Sequence, residues 1–119
     1  MSVNKKTADV VSVKVKKGEI VSLSVIIGNG HIGSSAVKFR FVSDVLGQGE
    51  IDNLLIGKAE DIEGKTLRVA TRVLQANTNK KIILTHQFKN AVPAKFPYSD
   101  EMADSHDVFT QVADYKFQL

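Results

Sequence analysis

The segment from Gly28 to Gly33 has the residue types and spacing of a phosphate-binding loop. It matches G-x-G-x-x-G and follows an apolar run, as a loop that places a pyrophosphate at a helix N-terminus should. The residues that follow this segment do not favour a helix, because the run 37–41 alternates apolar and basic side chains, which is typical of a strand. We therefore interpret the segment as a glycine-rich connection that needs positive φ angles, not as a nucleotide site.

Acidic side chains in two further connections offer the oxygen ligands that Ca²⁺ prefers. If each connection reverses the chain, the connections 28–34, 58–64 and 89–106 emerge at one end of the molecule. The candidate metal-binding residues at that end are Glu60, Asp61, Asp104 and Asp107. Their spacing fits no EF-hand, so Ca²⁺ binding is kept as an alternative to solvated acidic loops, and no other cofactor is predicted.

The three histidines fall near the same end under the same assumption. His31, His86 and His106 together would resemble the three-imidazole arrangement of a catalytic zinc site. No H-x-H or H-x-x-x-H pair supports that arrangement. His86 is in register with Ile82 and Leu84, and we predict a partly buried, hydrogen-bonded side chain there.

Catalytic residue types occur without a catalytic arrangement. Ser105, His106 and Asp107 are adjacent, and neighbours on an extended chain point to alternate faces, whereas a triad needs three side chains in one hydrogen-bonded line. Ser34 and Ser35 have no identifiable base. We interpret the protein as non-enzymatic, with a small hydrolase built on the loop end as the enzymatic alternative.

The elements that must position these residues are strands. Apolar and polar side chains alternate with a period of two in five runs, which indicates half-buried antiparallel strands. We predict seven strands and an irregular loop over 89–106. The predicted strands are 9–17, 20–28, 35–43, 52–57, 65–75, 80–88 and 107–118.

Short strands at spacings near ten residues favour an all-β fold. We predict an antiparallel β-sandwich of about seven strands with little helix, immunoglobulin-like or C2-like in architecture. The sandwich is predicted to form a single domain over 9–119, preceded by a flexible N-terminus over 1–8. The predicted inward side chains are Val11, Val13, Val15, Val21, Leu23, Val25, Ile27, Val37, Phe39, Phe41, Leu67, Val69, Val73, Ile82, Leu84, Tyr115 and Phe117.

Composition excludes several classes of protein. With 119 residues, 43% of them hydrophobic and 24% charged, the chain is typical of one globular domain. The absence of cysteine excludes a disulfide scaffold, a thiol nucleophile and cysteine-ligated zinc. No apolar core of a signal peptide follows Lys5 and Lys6, and no run approaches the roughly 18 apolar residues of a membrane span. These features predict a cytoplasmic protein or one exported without a leader.

The net charge of +3 conceals strongly basic strands. Residues 65–95 alone contain seven basic and no acidic side chains. Several outward basic side chains on one sheet would form a positive face for phosphate. The aromatic side chains are predicted to point inward, so they offer no platform on which bases could stack. We therefore do not expect nucleic acid as a partner. An anionic membrane surface remains open. The predicted outward basic residues are Lys14, Lys16, Lys38, Arg40, Arg68, Arg72 and Lys116.

We interpret the protein as a binding or interaction module that contacts another protein, or a second copy of itself, through its end loops or an edge strand. Phe96 and Tyr98 are the expected apolar anchors, and their alternative role is to cap the open end of the core. A Ca²⁺-assisted or electrostatic membrane- or glycan-binding domain is the alternative function. The candidate binding residues are Asn29, His31, Phe96, Tyr98, Asp100 and Glu101.

Overall fold

The alternating runs fold into eleven strands, and one short helix accompanies them in the part of the chain that the structure describes. The computed structural model describes residues 3–75, 78–101 and 108–119, with the backbone alone for 3–5. The elements are β1 (Val3–Thr7), β2 (Val11–Val15), β3 (Ile20–Ile27), β4 (Ile32–Phe39), β5 (Gly47–Gly49), β6 (Leu54–Lys58), α1 (Ala59–Ile62), β7 (Thr66–Leu74), β8 (Lys81–Lys89), β9 (Ala91–Val92), β10 (Lys95–Glu101) and β11 (Val108–Gln118).

The strands form two sheets. A seven-stranded sheet has the order β5-β4-β7-β11-β2-β9, and β1 pairs with β11 as its seventh strand. A four-stranded sheet has the order β10-β8-β3-β6. Strand β11 pairs with β7 in antiparallel orientation and with both β1 and β2 in parallel orientation. The two parallel pairs depart from the antiparallel prediction, because β1 and β2 follow one another along the same edge of β11 without a reversal of the chain.

The core contains the side chains that the alternation predicts. Strand β7 buries Leu67, Val69 and Val73, and strand β8 buries Ile82 and Leu84. One hydrophobic cluster combines residues of both sheets, and a smaller cluster adjoins it. The all-β prediction with little helix is therefore confirmed, and so is burial of most of the predicted inward side chains.

The loop predicted over 89–106 contains two strands and is the largest error of the sequence analysis. Strand β10 pairs with β8 from Lys95 to Glu101, and β9 pairs with β2. Strand β10 was not predicted because it contains Pro97, and proline lacks the backbone N–H that a strand donates to its neighbour. A proline is tolerated on an edge strand such as β10, where one row of N–H groups needs no partner within the sheet.

Phe41 was wrongly predicted to point into the core. Strand β4 begins earlier than expected, at Ile32, and ends at Phe39. The backbone N–H of Val42 donates to the carbonyl of Phe39 at 3.4 Å and closes a turn. The turn gives Phe41 a φ of 66° and leaves its side chain 96% exposed.

Two smaller features complete the fold. The segment 1–8 contains β1, whose pairing with β11 the sequence did not indicate. Helix α1 lies within the predicted connection 58–64 and buries Ala59 and Ile62. Within the described ranges, no helix has the length and apolar character needed to cross a membrane.

Candidate binding surface

A basic surface covers the outward side of four adjacent strands, β4, β7, β11 and β2. Lys38 lies opposite Arg68, and Arg68 lies opposite Asp114, so these three side chains share one side of the sheet. The same registers place Arg72 beside Thr110 and Lys116 beside Thr66. Five of the seven basic residues that were predicted to point outward share this side of the sheet. We call this surface the basic face; its residues are Lys14, Lys38, Arg68, Arg72 and Lys116.

Asp114 is the one acidic residue among the outward positions of these four fully described strands. Its side chain is buried, and its two oxygens accept hydrogen bonds from Nε and Nη2 of Arg68, both at 2.9 Å. Arg40 approaches the same carboxylate at 3.8 Å. The hydrogen bonds from Arg68 raise the pKa of its guanidinium. A bidentate pair of this kind holds the guanidinium in one orientation, so Asp114 organises the centre of the basic face.

The turn that exposes Phe41 adjoins the basic face. We call residues 39–42 the Phe41 turn. The guanidinium carbon of Arg40 lies 5.0 Å from the centroid of the Phe41 ring, within the range of a cation–π contact. Lys65 stands 5.5 Å over the ring of Phe39. A shallow depression of about 270 Å³ lies between this turn and residues 64–66. Cationic and aromatic groups therefore alternate where the face meets the turn.

The predicted site residues on the glycine-rich segment form a tight connection. Asn29 and Gly30 have φ angles of 58° and 73°, and the Asn29 side-chain amide donates to the carbonyl of Lys81 at 2.9 Å. Strand β4 begins within the segment, at Ile32, where a nucleotide site would need a helix. The interpretation as a connection with positive φ angles is confirmed. His31 is buried and lines a depression together with Glu50.

The predicted site residues on β10 divide into two pairs. Phe96 and Tyr98 are half-buried and pack on the core, where the Phe96 ring lies 4.8 Å from the ring of Tyr115. This packing favours their alternative role as part of the core. Asp100 forms an ion pair with Lys6 at 3.4 Å, and Glu101 is exposed.

The prediction that three connections share one end of the molecule is right for two of them and wrong for 58–64. Glu101 at the end of β10 pairs with Lys81, whose carbonyl accepts a hydrogen bond from Asn29, so this part of 89–106 lies beside the connection 28–34. Ile27 pairs with Leu84, which places the connection 28–34 at the C-terminal end of β3. The N–H of Ala59 donates to the carbonyl of Glu19 at 3.0 Å, which places α1 at the opposite end of β3. The cause is β5, because this uncounted strand adds one reversal of the chain before the connection 58–64. The uncounted strand β10 adds a second reversal, which returns the chain to the end where 28–34 lies.

The candidate metal ligands are also separated or undescribed. Glu60 accepts a hydrogen bond from the backbone N–H of Gly18 at 3.0 Å, which lowers the pKa of its carboxyl group. Asp61 is exposed on α1, and Asp104 and Asp107 lie outside the described residues, as does His106. Among the residues that are described, no three side chains of His, Cys, Asp or Glu come together as a metal site.

His86 belongs to a buried chain of polar side chains that joins the two sheets. Its Nε2 lies 3.1 Å from the hydroxyl of Thr71, which in turn lies 2.8 Å from the hydroxyl of Ser35. Its Nδ1 lies 2.7 Å from the hydroxyl of Tyr115, which lies 2.8 Å from that of Tyr98. His86 is hydrogen-bonded as predicted, and it is fully buried where partial burial was expected. Both ring nitrogens are occupied, so His86 is not available as a zinc ligand.

Burial keeps this chain uncharged. It lowers the pKa of His86 to about 3 and raises the pKa of Tyr98 and of Tyr115. The side chains of Ser35, Thr71 and His86 are closed to solvent. A serine and a histidine in this position stabilise the core and do not offer a nucleophile to a substrate.

Two parts of the candidate surface were missed by the sequence analysis. Asp114 could have been found, because it shares its parity on the last strand with Lys116. The exposure of Phe41 had no local signal, since the alternation continues through it.

Neither a protein-family model, nor a curated protein, nor a solved structure matches this chain.

Proposed function

We propose that the protein is a non-enzymatic interaction module built on a β-sandwich of immunoglobulin-like or C2-like type. Support for two sheets packed face to face comes from the core cluster, which combines Val37 and Phe117 of one sheet with Leu23 and Phe88 of the other. A module of this kind presents a rigid surface, because strand registers fix the relative positions of its side chains.

The proposed partner is a protein with an acidic surface that covers the basic face. The observation that carries this proposal is the register that sets Lys38 opposite Arg68 and places Lys116 on the same side of the sheet, two residues beyond the partner of Arg68 on β11. Complementary charge steers association and suppresses partners of the wrong sign. Arg68 is held by Asp114, while Lys38 and Lys116 are exposed and available to a partner.

A face is a better contact surface here than the two edges of the four-stranded sheet. Pro97 on the edge strand β10 cannot donate to an added strand. The other edge strand, β6, has a register shift opposite Val21 and Ser22, and such irregularities hinder edge-to-edge pairing. An edge-strand contact with a second copy is therefore the weaker form of the proposal.

The test is binding to poly-L-glutamate, an acidic polypeptide, by fluorescence anisotropy at increasing salt. The double variant Lys38→Glu/Lys116→Glu should abolish most of the binding. The matched control Lys89→Glu/Lys95→Glu makes the same change of net charge on the outward side of the four-stranded sheet and should bind nearly as the original protein does. Equal losses in both variants would show that net charge alone matters and would refute a specific face.

A further inference from the structure

Phe41 has two properties that do not stabilise the fold. Its φ of 66° lies in the left-handed region, which is unfavourable for a bulky side chain. Its ring is 96% exposed, so burial does not offset that strain. A strained and fully exposed aromatic residue is a feature that points to contact with something outside the chain.

Several residues that follow Phe41 along the chain are also apolar and exposed. Val42, Val45 and Leu46 are all exposed, within six residues of chain. Contiguous exposed apolar surface of this kind marks protein or membrane contacts, whereas single exposed aliphatic side chains are ordinary. Asp44 and Ser43 are the polar members of this loop.

Basic side chains surround the turn. The Arg40 guanidinium contacts the Phe41 ring, and Lys65 lies against Phe39 in the same depression. Lys116 is in register with Thr66, whose carbonyl accepts a hydrogen bond from the N–H of Arg40 at 2.8 Å. The nearby acidic residues are Asp44, Glu63 and Asp114. Asp114 is shared between Arg40 and Arg68, so Lys65 and Lys116 add positive charge where the apolar loop begins.

We propose that the Phe41 turn docks the protein on an anionic lipid bilayer, with the Phe41 ring inserted at the level of the headgroups. The Phe41 ring is almost fully exposed, and a bilayer accepts an exposed apolar ring without a preformed pocket. Aromatic rings are favoured at the membrane interface, and basic side chains near it are attracted to anionic headgroups. This inference goes beyond the proposed function, because it assigns a different element and a different occupant.

The first experiment uses tryptophan as a reporter, since the chain contains none. Phe41→Trp should shift its emission to shorter wavelength with vesicles of phosphatidylcholine and phosphatidylserine, and the shift should weaken with salt. Vesicles of phosphatidylcholine alone should have little effect. The control Leu55→Trp places the reporter at another exposed apolar position, 62% exposed on β6, and should not respond. An unchanged Phe41→Trp emission with anionic vesicles would overturn the proposal.

The second experiment removes the ring without disturbing the turn. Phe41→Asn introduces a residue that adopts positive φ readily, and it should weaken co-sedimentation with the anionic vesicles about tenfold while the fold stays intact. Binding equal to that of the original protein would overturn the proposal. If Lys38→Glu/Lys116→Glu removes vesicle binding and Phe41→Asn does not, the basic face binds lipid by charge alone, and insertion of Phe41 is refuted. The proposal of an acidic protein partner is then decided by its own test.

Discussion

The Nδ1 atom of His86 lies 2.7 Å from the hydroxyl of Tyr115, and this contact joins the four-stranded sheet to the seven-stranded sheet. Both side chains are closed to solvent. Thr71 occupies the other ring nitrogen, so the imidazole has a polar partner on each side in an otherwise apolar core. Satisfied networks of this kind stabilise a core only while every member keeps its partner.

Stability should therefore fall in mild acid. Burial lowers the pKa of His86 from its ordinary value of 6.5 to about 3, so the folded state holds the neutral ring while the unfolded state takes up a proton below 6.5. The stabilisation is complete above 6.5 and is lost as the pH falls toward 3, by up to about 1.4 kcal/mol per unit. Urea unfolding between pH 7 and about 5.5, where ordinary carboxylates stay almost fully ionised, measures this slope. His86→Gln should lose the slope whatever its absolute stability, and a slope that persists in the variant would assign it to another group.

The two phenylalanines beside Arg40 should differ sharply in their effect on stability. Phe39 is half-buried against the core, and Phe39→Ala should lower the free energy of unfolding by about 2 kcal/mol, less than the roughly 3–5 kcal/mol of a fully buried ring. Phe41→Ala should stay within about 0.5 kcal/mol, because its ring touches little. Denaturant melts of both variants decide the matter. A costly Phe41→Ala would contradict the exposed position of its ring.

The buried and exposed ion pairs offer another comparison. Asp114→Asn removes the charge that two arginines share, and we expect a loss of about 1–3 kcal/mol because the carboxylate is buried and doubly hydrogen-bonded. The control Asp100→Asn breaks the more exposed pair with Lys6 and should cost less than about 0.5 kcal/mol. Thermal melts at low and high salt measure both. Similar losses would show that Asp114 adds no more than a surface pair does.

Gly33 should tolerate no side chain. A Cβ atom there would overlap the carbonyl oxygen of Arg72 on the neighbouring strand and would come within 2.7 Å of the Ile27 side chain. Gly33→Ala should lower stability by about 1–3 kcal/mol through strand displacement. Gly28→Ala is the control, because its Cβ would meet Ile83 at 3.6 Å, an ordinary contact. Chemical denaturation of the two variants should separate them, and a neutral Gly33→Ala would mean that β4 and β7 lie less closely together than described.

Much of this fold could be predicted from local patterns, and the failures have specific physical causes. Period-two alternation located β2, β3, β7 and β11 within a few residues, because a strand buried on one face repeats its environment every second residue. The same rule misplaced Phe41, because the backbone N–H of Val42 closes a turn after Phe39 and a turn overrides side-chain parity. It also missed β5, whose residues Gly47–Gly49 contain no apolar side chain to alternate.

The candidate surface also combines features that could be predicted from the sequence with features that only the structure shows. The amino-acid sequence by itself determined an all-β chain with basic residues on the outward positions of its strands and a partly buried, hydrogen-bonded His86. Only the tertiary structure decided that Lys38, Arg68 and Lys116 share one face, that Asp114 orders it, and that Glu60 lies far from the glycine-rich connection. The physical reason is that alternation sets which side of its own strand a residue occupies. Which strands become neighbours, and at which end a loop emerges, depends on hydrogen-bond pairings between segments far apart in the chain.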